Sequence, residues 1–408
     1  MQSNSKMKIF QKGEIKTLGP FYLERFLSHL LYFLPAFWVI SFNNYITLTQ
    51  IGIVFAMMSI ISFFLEIPTG AFADIYGRKA STLVGYFFSG ISILLLFFFK
   101  SFIGILFFTC TWSIAGTFIS GAKESWIIDN IKKKNKGSLI KSFFLKDQFI
   151  VGLALVLSGV LGTFVVKKLG IELSWIFAAA SFLVTFLVLA FIPEIKTNKK
   201  EQLTFKKIFQ QSKKSIQYGL KHNVLFFIFL ATFFIILRET FGGDINEKVF
   251  LTSLGLPIPL LALVFSGISL VCLLTTVVSH FLLKIFKSEK KILSTILLLS
   301  IPLDIAILFV NSVYMGILLL TLILFLILLF KPINQIYLQK NIPTNMRATI
   351  VSFQGMIISL GYVVGSPLAG FFGDLISSQK AIALGAVFLI PALILYLRIR
   401  EKKKVSNI

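Results

Sequence analysis

The residues able to do chemistry in this chain are a few acids and bases set inside long apolar runs: Glu24, Arg25, His29, Lys123, Arg238, Glu239, Asp304 and Lys331. An ionisable group held in hydrocarbon is costly, so it is paired, faces a wet cavity or lies near an interface, and such positions mark ion or substrate handling by default. Nothing in the spacing builds an enzyme centre. The three histidines, His29, His222 and His280, are far apart, and there is no nucleophile with a base beside it, no metal-ligand cluster and no phosphate-cradling glycine loop. What remains is the set of charges inside the apolar runs. The chain reads as no enzyme and as needing no cofactor. One contiguous polar stretch stands out, Gly70-Ala71-Phe72-Ala73-Asp74-Ile75-Tyr76-Gly77-Arg78-Lys79. Asp74 and Arg78 are four residues apart and can face the same way, while Pro68, Gly70 and Gly77 are expected to break the flanking helices and allow a tight turn.

Those side chains must be positioned by membrane helices. Of 408 residues, 56% are hydrophobic, 46 are Phe and only 14% are charged, with a mean hydropathy of +0.88. So little polar material cannot cover a globular surface, which excludes a soluble protein. The net charge of +23 does not indicate nucleic acid, because the basic residues lie in short segments between apolar runs, where anionic lipid is the natural partner. Cys110 and Cys272 both lie in apolar runs and read as packing residues. The polar, basic stretch up to Lys16 precedes an apolar run with no small-residue cleavage site, so that run reads as a retained span.

A membrane helix needs about 20 apolar residues. Twelve stretches qualify, at 18–42, 47–68, 80–99, 102–127, 142–166, 172–193, 223–243, 257–283, 292–311, 313–339, 345–372 and 379–397, and they are numbered span one to span twelve below. With both termini and the even-to-odd loops on one side, and Lys146 and Arg347 counted there at the entries to their spans, that side holds 31 of the 40 lysines and arginines. The opposite side holds five (Lys100, Lys167, Lys168, Lys248, Lys380) and four lie within spans (Arg25, Lys123, Arg238, Lys331). The positive-inside rule then makes both termini cytoplasmic in a multi-pass protein of the cell membrane.

The longest polar interval, 194–222, divides the chain into six-span halves, 1–193 and 223–408. Within it Phe205, Ile208, Phe209, Ile216 and Leu220 share one helical face among lysines, the pattern of a helix lying among lipid headgroups. The halves echo each other: Ser142-Phe143 with Gly152, Gly159 and Gly162 is answered by Ser352-Phe353 with Gly361, Gly365 and Gly370. Glycines at these spacings let spans five and eleven approach their neighbours closely.

The stretch from Gly70 to Lys79 resembles the signature between the second and third spans of the major facilitator superfamily, with both glycines, the acid and both bases in place. The resemblance implies an all-α fold of twelve transmembrane helices in two pseudo-repeated six-helix halves that rock around a midplane cavity. It implies that Arg78 meets Asp129, at the cytoplasmic edge of span four. It also implies that Asp74 faces the start of span eleven, where free helix amides favour a carboxylate and Arg347 is a second partner. Gly70, Asp74, Gly77, Arg78, Lys79, Asp129 and Arg347 are thus the gating set, tying the halves together in the outward-open state.

Spans one, four, seven and ten line the cavity in that superfamily. The resemblance therefore gives Glu24, Arg25, His29, Arg238, Glu239 and Lys331 as substrate or proton residues, and leaves Asp304, on an outer span near the interface, as an ordinary polar residue. Lys331 lies roughly 12 Å in from the cytoplasmic end of span ten and needs a partner or a wet cavity, with snorkelling to the headgroups as the alternative. Glu24 is the expected partner, a substrate acid the competing one. Two drug/proton antiporter features are missing: Trp112 stands where an arginine is usual, and Ser158-Gly159-Val160-Leu161-Gly162 has no Gly-Pro pair. The efflux resemblance rests on general likeness, including Leu65-Glu66-Ile67-Pro68-Thr69-Gly70 before the signature. The favoured function is proton-coupled export of a small amphipathic or hydrophobic compound by a monomer that binds no nucleic acid. Nutrient or metabolite symport comes next, and a transport-dead receptor last.

Overall fold

In a computed structural model of the chain, the described residues are 13–134, 136–137, 139–193, 217, 219, 221–243, 245–286, 288–343 and 346–399. Among them there is no strand. Eleven helices are long and apolar enough to cross a membrane, each keeping a large share of its surface outward to suit lipid. Span one is the twelfth and is broken. It runs as the helix Glu14–Leu30, a single 3-10 turn Leu34–Ala36 and the short helix Trp38–Asn43. Pro35 lies at the break, where it lacks the amide a continuous helix would use.

The remaining helices follow the apolar runs. Span two is Leu48–Tyr76, span three Arg78–Phe98, and span four Phe102–Ile119 continued by Ala122–Lys133. Span five is Leu139–Leu169, span six Leu173–Ala190 and span seven Asn223–Gly242 followed by Asn246–Ser253. Spans eight to eleven are Leu260–Ile285, Glu289–Ala306, Val313–Lys340 and Arg347–Ile376. Span twelve is Ser378–Leu384 with Ala386–Arg398. A serine hydroxyl caps some of the starts: Ser101 accepts from the Gly104 amide at 3.2 Å and Ser288 from the Lys291 amide at 3.3 Å. The surface helix expected across 194–222 falls mostly outside the described residues.

The expected break at Pro68 and Gly70 does not occur. Span two stays helical through both and ends only at Gly77, whose φ of 106° and ψ of 142° favour glycine. Proline forfeits one helical hydrogen bond, and Thr69 back-bonds to the Leu65 carbonyl at 2.7 Å, so seven further residues of helix survive. A Cβ at Gly70 would meet nothing within 4 Å, so of the two signature glycines only Gly77 answers a local steric need.

The chain forms two compact units, residues 1–38 with 64–200, and residues 39–63 with 201–408. In the first, Phe21 packs edge-on to Trp126 with ring centres 5.4 Å apart, and Tyr22 stacks on Phe143 at 5.7 Å. The close approach expected of span five occurs at Gly162, where a Cβ would stand 2.8 Å from the Phe33 ring. In the second, Leu225, Phe229, Phe330 and Tyr396 belong to one buried cluster, and the Tyr396 hydroxyl donates to Asn334 Oδ1 at 2.5 Å. Span eleven uses its glycines as expected: a Cβ at Gly361 would stand 2.6 Å from Ile236, and one at Gly365 2.3 Å from Thr240 Oγ1.

Candidate functional site

In the first unit two charged pairs start from adjacent residues of span one, Glu24 and Arg25. Glu24 is fully buried and accepts a hydrogen bond on Oε1 from Lys123 Nζ at 2.7 Å. Lys123 also donates to the Tyr86 hydroxyl at 2.8 Å, with its ammonium 5.3 Å from the centre of that ring. Oε2 of Glu24 makes no hydrogen bond among the described residues, leaving a buried acceptor that a proton or a polar ligand would satisfy. One residue along the helix, Arg25 Nε lies 2.8 Å from Asp147 Oδ1 on span five. His29 places Nδ1 2.8 Å from the Arg25 carbonyl oxygen, a bond it makes only as donor.

The signature residues sit apart from this cluster. Arg78 Nη1 donates to Asp129 Oδ2 at 2.5 Å, as the resemblance implied. Lys79 donates to the Ala190 carbonyl at 2.8 Å, pinning span three to the end of span six. Asp74 is otherwise placed. Its side chain is 74% exposed and its carboxylate is 3.9 Å from Arg78, so it holds no short contact there. The side chain of Arg347 lies outside the described residues.

In the second unit Arg238 and Asp304 are both buried and joined in a bidentate pair, Nε to Oδ2 at 2.8 Å and Nη2 to Oδ1. Two expectations change here. Asp304 is no ordinary interface acid, and Arg238 turns its charge onto spans seven and nine, because a planar fork meeting a carboxylate is the arrangement that best offsets the cost of burying both charges. The next residue, Glu239, faces the other way. Its carboxylate lies 3.2 Å from Lys331 Nζ, with the glutamate 11% and the lysine 51% exposed.

Both line a cavity of about 310 Å³ whose wall includes Phe55, Phe265, Tyr362 and Glu247. The expected pairing of Lys331 with Glu24 is corrected on both sides: Glu24 is taken by Lys123 within the first unit, and Lys331 by Glu239 within the second. Lys248, expected in an outer loop, is buried in the helix Asn246–Ser253, 2.8 Å from Glu247 and 5.0 Å above the Phe265 ring. Lys123 was expected as a charge within a span but with no partner named, and Tyr86, Asp147 and Glu247 carried no expectation. Asp147 interrupts an apolar helix and could have been found on that ground, whereas Tyr86 has no mark in the sequence.

An acid–base pair thus lies on a cavity wall in the second unit, and in the first the signature loop is tied to span four. The model of the Major Facilitator Superfamily matches residues 21–241 and again 228–408. The chain belongs to the major facilitator superfamily. Two matches that together run nearly end to end fit a protein of this superfamily built from two related halves. The MFS-type transporter YxaM of Bacillus subtilis is 24% identical over 361 residues, covering 85% of this chain and 86% of that one. The MFS-type transporter MJ1560 of Methanocaldococcus jannaschii is 23% identical over 357 residues, covering 86% and 89%. The crystal structure of the nucleoside transporter NupG superposes with a TM-score of 0.76 at 13% identity, covering 92% of this chain and 98% of that one, which speaks to the superfamily fold alone. The chain is a multi-pass membrane transporter and not an enzyme.

Proposed function

We propose that this transporter exports a small amphipathic or hydrophobic compound across the cell membrane in exchange for protons, with both termini cytoplasmic and two six-span halves, 1–193 and 223–408, joined by 194–222. The observation that carries the reading is the Glu239–Lys331 pair on the wall of an otherwise largely apolar, aromatic-bearing cavity. Apolar walls suit an amphipathic substrate, and a partly exposed ion pair in low dielectric can exchange its internal partner for a proton or a substrate charge. Buried Glu24, with one unbonded oxygen beside Lys123, is a second proton position. Symport of a polar metabolite is the second reading, favoured by the charged side chains Glu239, Glu247 and Lys331 on that wall. A growth-inhibition panel in an efflux-deficient host expressing the gene tests the choice. Raised tolerance to hydrophobic compounds supports export, while sensitisation to a polar antimetabolite supports uptake.

The orientation has its own test. In intact cells a cysteine replacing Asn311 should react with an impermeant thiol reagent, while one replacing Asn198 should be shielded. Labelling at Asn198 from outside would reverse the topology.

The signature acid is proposed as a gating residue that finds its full complement of partners only when the cytoplasmic side closes. Its exposure supports this. Asp74→Asn should leave expression and insertion normal, lower transport several-fold and enlarge the inward-open population. Full transport with unchanged distances between the halves would reduce the stretch to a turn.

A further inference from the structure

Span eleven ends in a second copy of the signature pattern, and there the acid is engaged. Gly370-Phe371-Phe372-Gly373-Asp374 matches Gly70-Ala71-Phe72-Ala73-Asp74 at the first glycine, the phenylalanine and the acid. Three residues past each acid the backbone makes the same unusual turn: Gly77 has φ 106° and ψ 142°, and Ser377 has φ 101° and ψ 152°. Ser377 is the one non-glycine residue with positive φ among those described. An L side chain in that region stores strain, so the turn is held by its surroundings. Lys79 follows the first turn and Lys380 the second.

Asp374 does what Asp74 does not. Its Oδ1 accepts from the Leu48 amide at 3.0 Å, and its Oδ2 from the Thr49 amide at 2.8 Å and the Thr49 hydroxyl at 2.6 Å. One carboxylate thus satisfies orphan amides at the first turn of span two from more than 300 positions away, where the positive end of the helix dipole favours it. The two helices meet almost backbone to backbone beside this cap. A Cβ at Gly370 would stand 2.1 Å from the Leu48 carbonyl oxygen, and one at Gly52 2.2 Å from the Ser366 carbonyl oxygen. The contact is dense and polar at its tip, and its hydrogen bonds are all made to span two. That span begins in the second unit and ends in the signature of the first.

We infer that Asp374 is an outer-side latch, the counterpart of the cytoplasmic signature, which clamps the start of span two to the end of span eleven and must release for the transporter to open outward. The inference rests on the alternating-access reading above. Asp374 is engaged and Asp74 is exposed in the same molecule, as two gates that close in turn require. Span two then links the gates: one end is held by Asp374, the other bears Asp74.

The test needs no substrate. In purified protein in lipid nanodiscs, with Cys110 and Cys272 replaced by serine, spin labels at Lys168 and Asn311 report the distance between the outer ends of the two halves. Asp374→Ala should shift the distribution toward the longer, outward-open distance, raising its ratio roughly tenfold, the effect of losing a strong helix cap. Thr49→Val, which removes one of the three bonds, should give a smaller shift in the same direction and serves if Asp374→Ala does not fold. A short bifunctional thiol crosslink between cysteines at 49 and 374 should hold the short distance at every pH and stop transport until the link is cleaved. Unchanged distances in folded Asp374→Ala or Thr49→Val protein, or normal transport by the crosslinked protein, would overturn the latch. Outer opening by Asp374→Ala in a protein that moves no compound would instead remove the export reading and leave the latch standing.

Discussion

Lys331→Met should abolish the tolerance expected of the proposed exporter, with expression and membrane insertion unchanged. The variant keeps the volume and flexibility of the side chain and removes only its charge. Lys331 is half-exposed at mid-span and within 3.2 Å of Glu239, so its charge is not needed to hold the helices together. In the proposed mechanism, what is lost is the partner that Glu239 releases when a proton or substrate charge arrives. Lys331→Arg should restore part of the activity, because a planar fork cannot reproduce the reach of a compact ammonium. Glu239→Gln should match Lys331→Met, and the double variant should be no worse than either, as expected of two residues acting as a unit. Tolerance measured over a concentration series of each active compound, at external pH from mildly acid to mildly alkaline, checks this. Wild-type tolerance by Lys331→Met throughout would return the lysine to a snorkelling role.

Asp304→Ala should do the opposite: unfold the protein before it affects selectivity. Removing the carboxylate strands a guanidinium that is 2% exposed, and breaking a buried pair in this way costs about 3–5 kcal/mol. For a unit of this size that is a fall in Tm on the order of 10 °C. Replacing both partners, Arg238→Met with Asp304→Leu, should recover most of the loss, since two apolar side chains need no compensation. The same double variant should still transport. A double variant that is stable but inactive would put Arg238 back among the cavity residues, where the superfamily resemblance first placed it.

How much of this could be read from the chain depends on whether the partners are neighbours in sequence. The span count, the basic loops and the signature are local, and Arg78 with Asp129 followed from the family pattern. The charged pairs inside the helices are not local. Glu24 and Lys123 are separated by 99 positions, and Arg238 and Asp304 by 66. Which residues meet is set by how each helix is rotated about its axis, and with apolar residues on every face of these spans the sequence holds no stripe that fixes the rotation. Arg238 and Glu239 show the consequence. They are adjacent, and successive helical positions point about 100° apart, so one is sealed against span nine and the other opens to the cavity. Depth along the span was legible, as for Lys331, but direction was not. The helix through Pro68 and Gly70 shows a different limit, because breaking signals act on local propensity while a membrane keeps every available backbone bond closed.

The central claim is that substrate and protons share the cavity at Glu239 and Lys331, and proton movement in everted membrane vesicles tests it most directly. With respiration holding the lumen acidic, addition of a compound that the protein exports should release protons and relieve the quenching of acridine orange in wild-type vesicles. The same addition should give no response with Lys331→Met or Glu239→Gln. An undiminished response in both variants, or transport of the same compound in the wild type without any proton release, would contradict it.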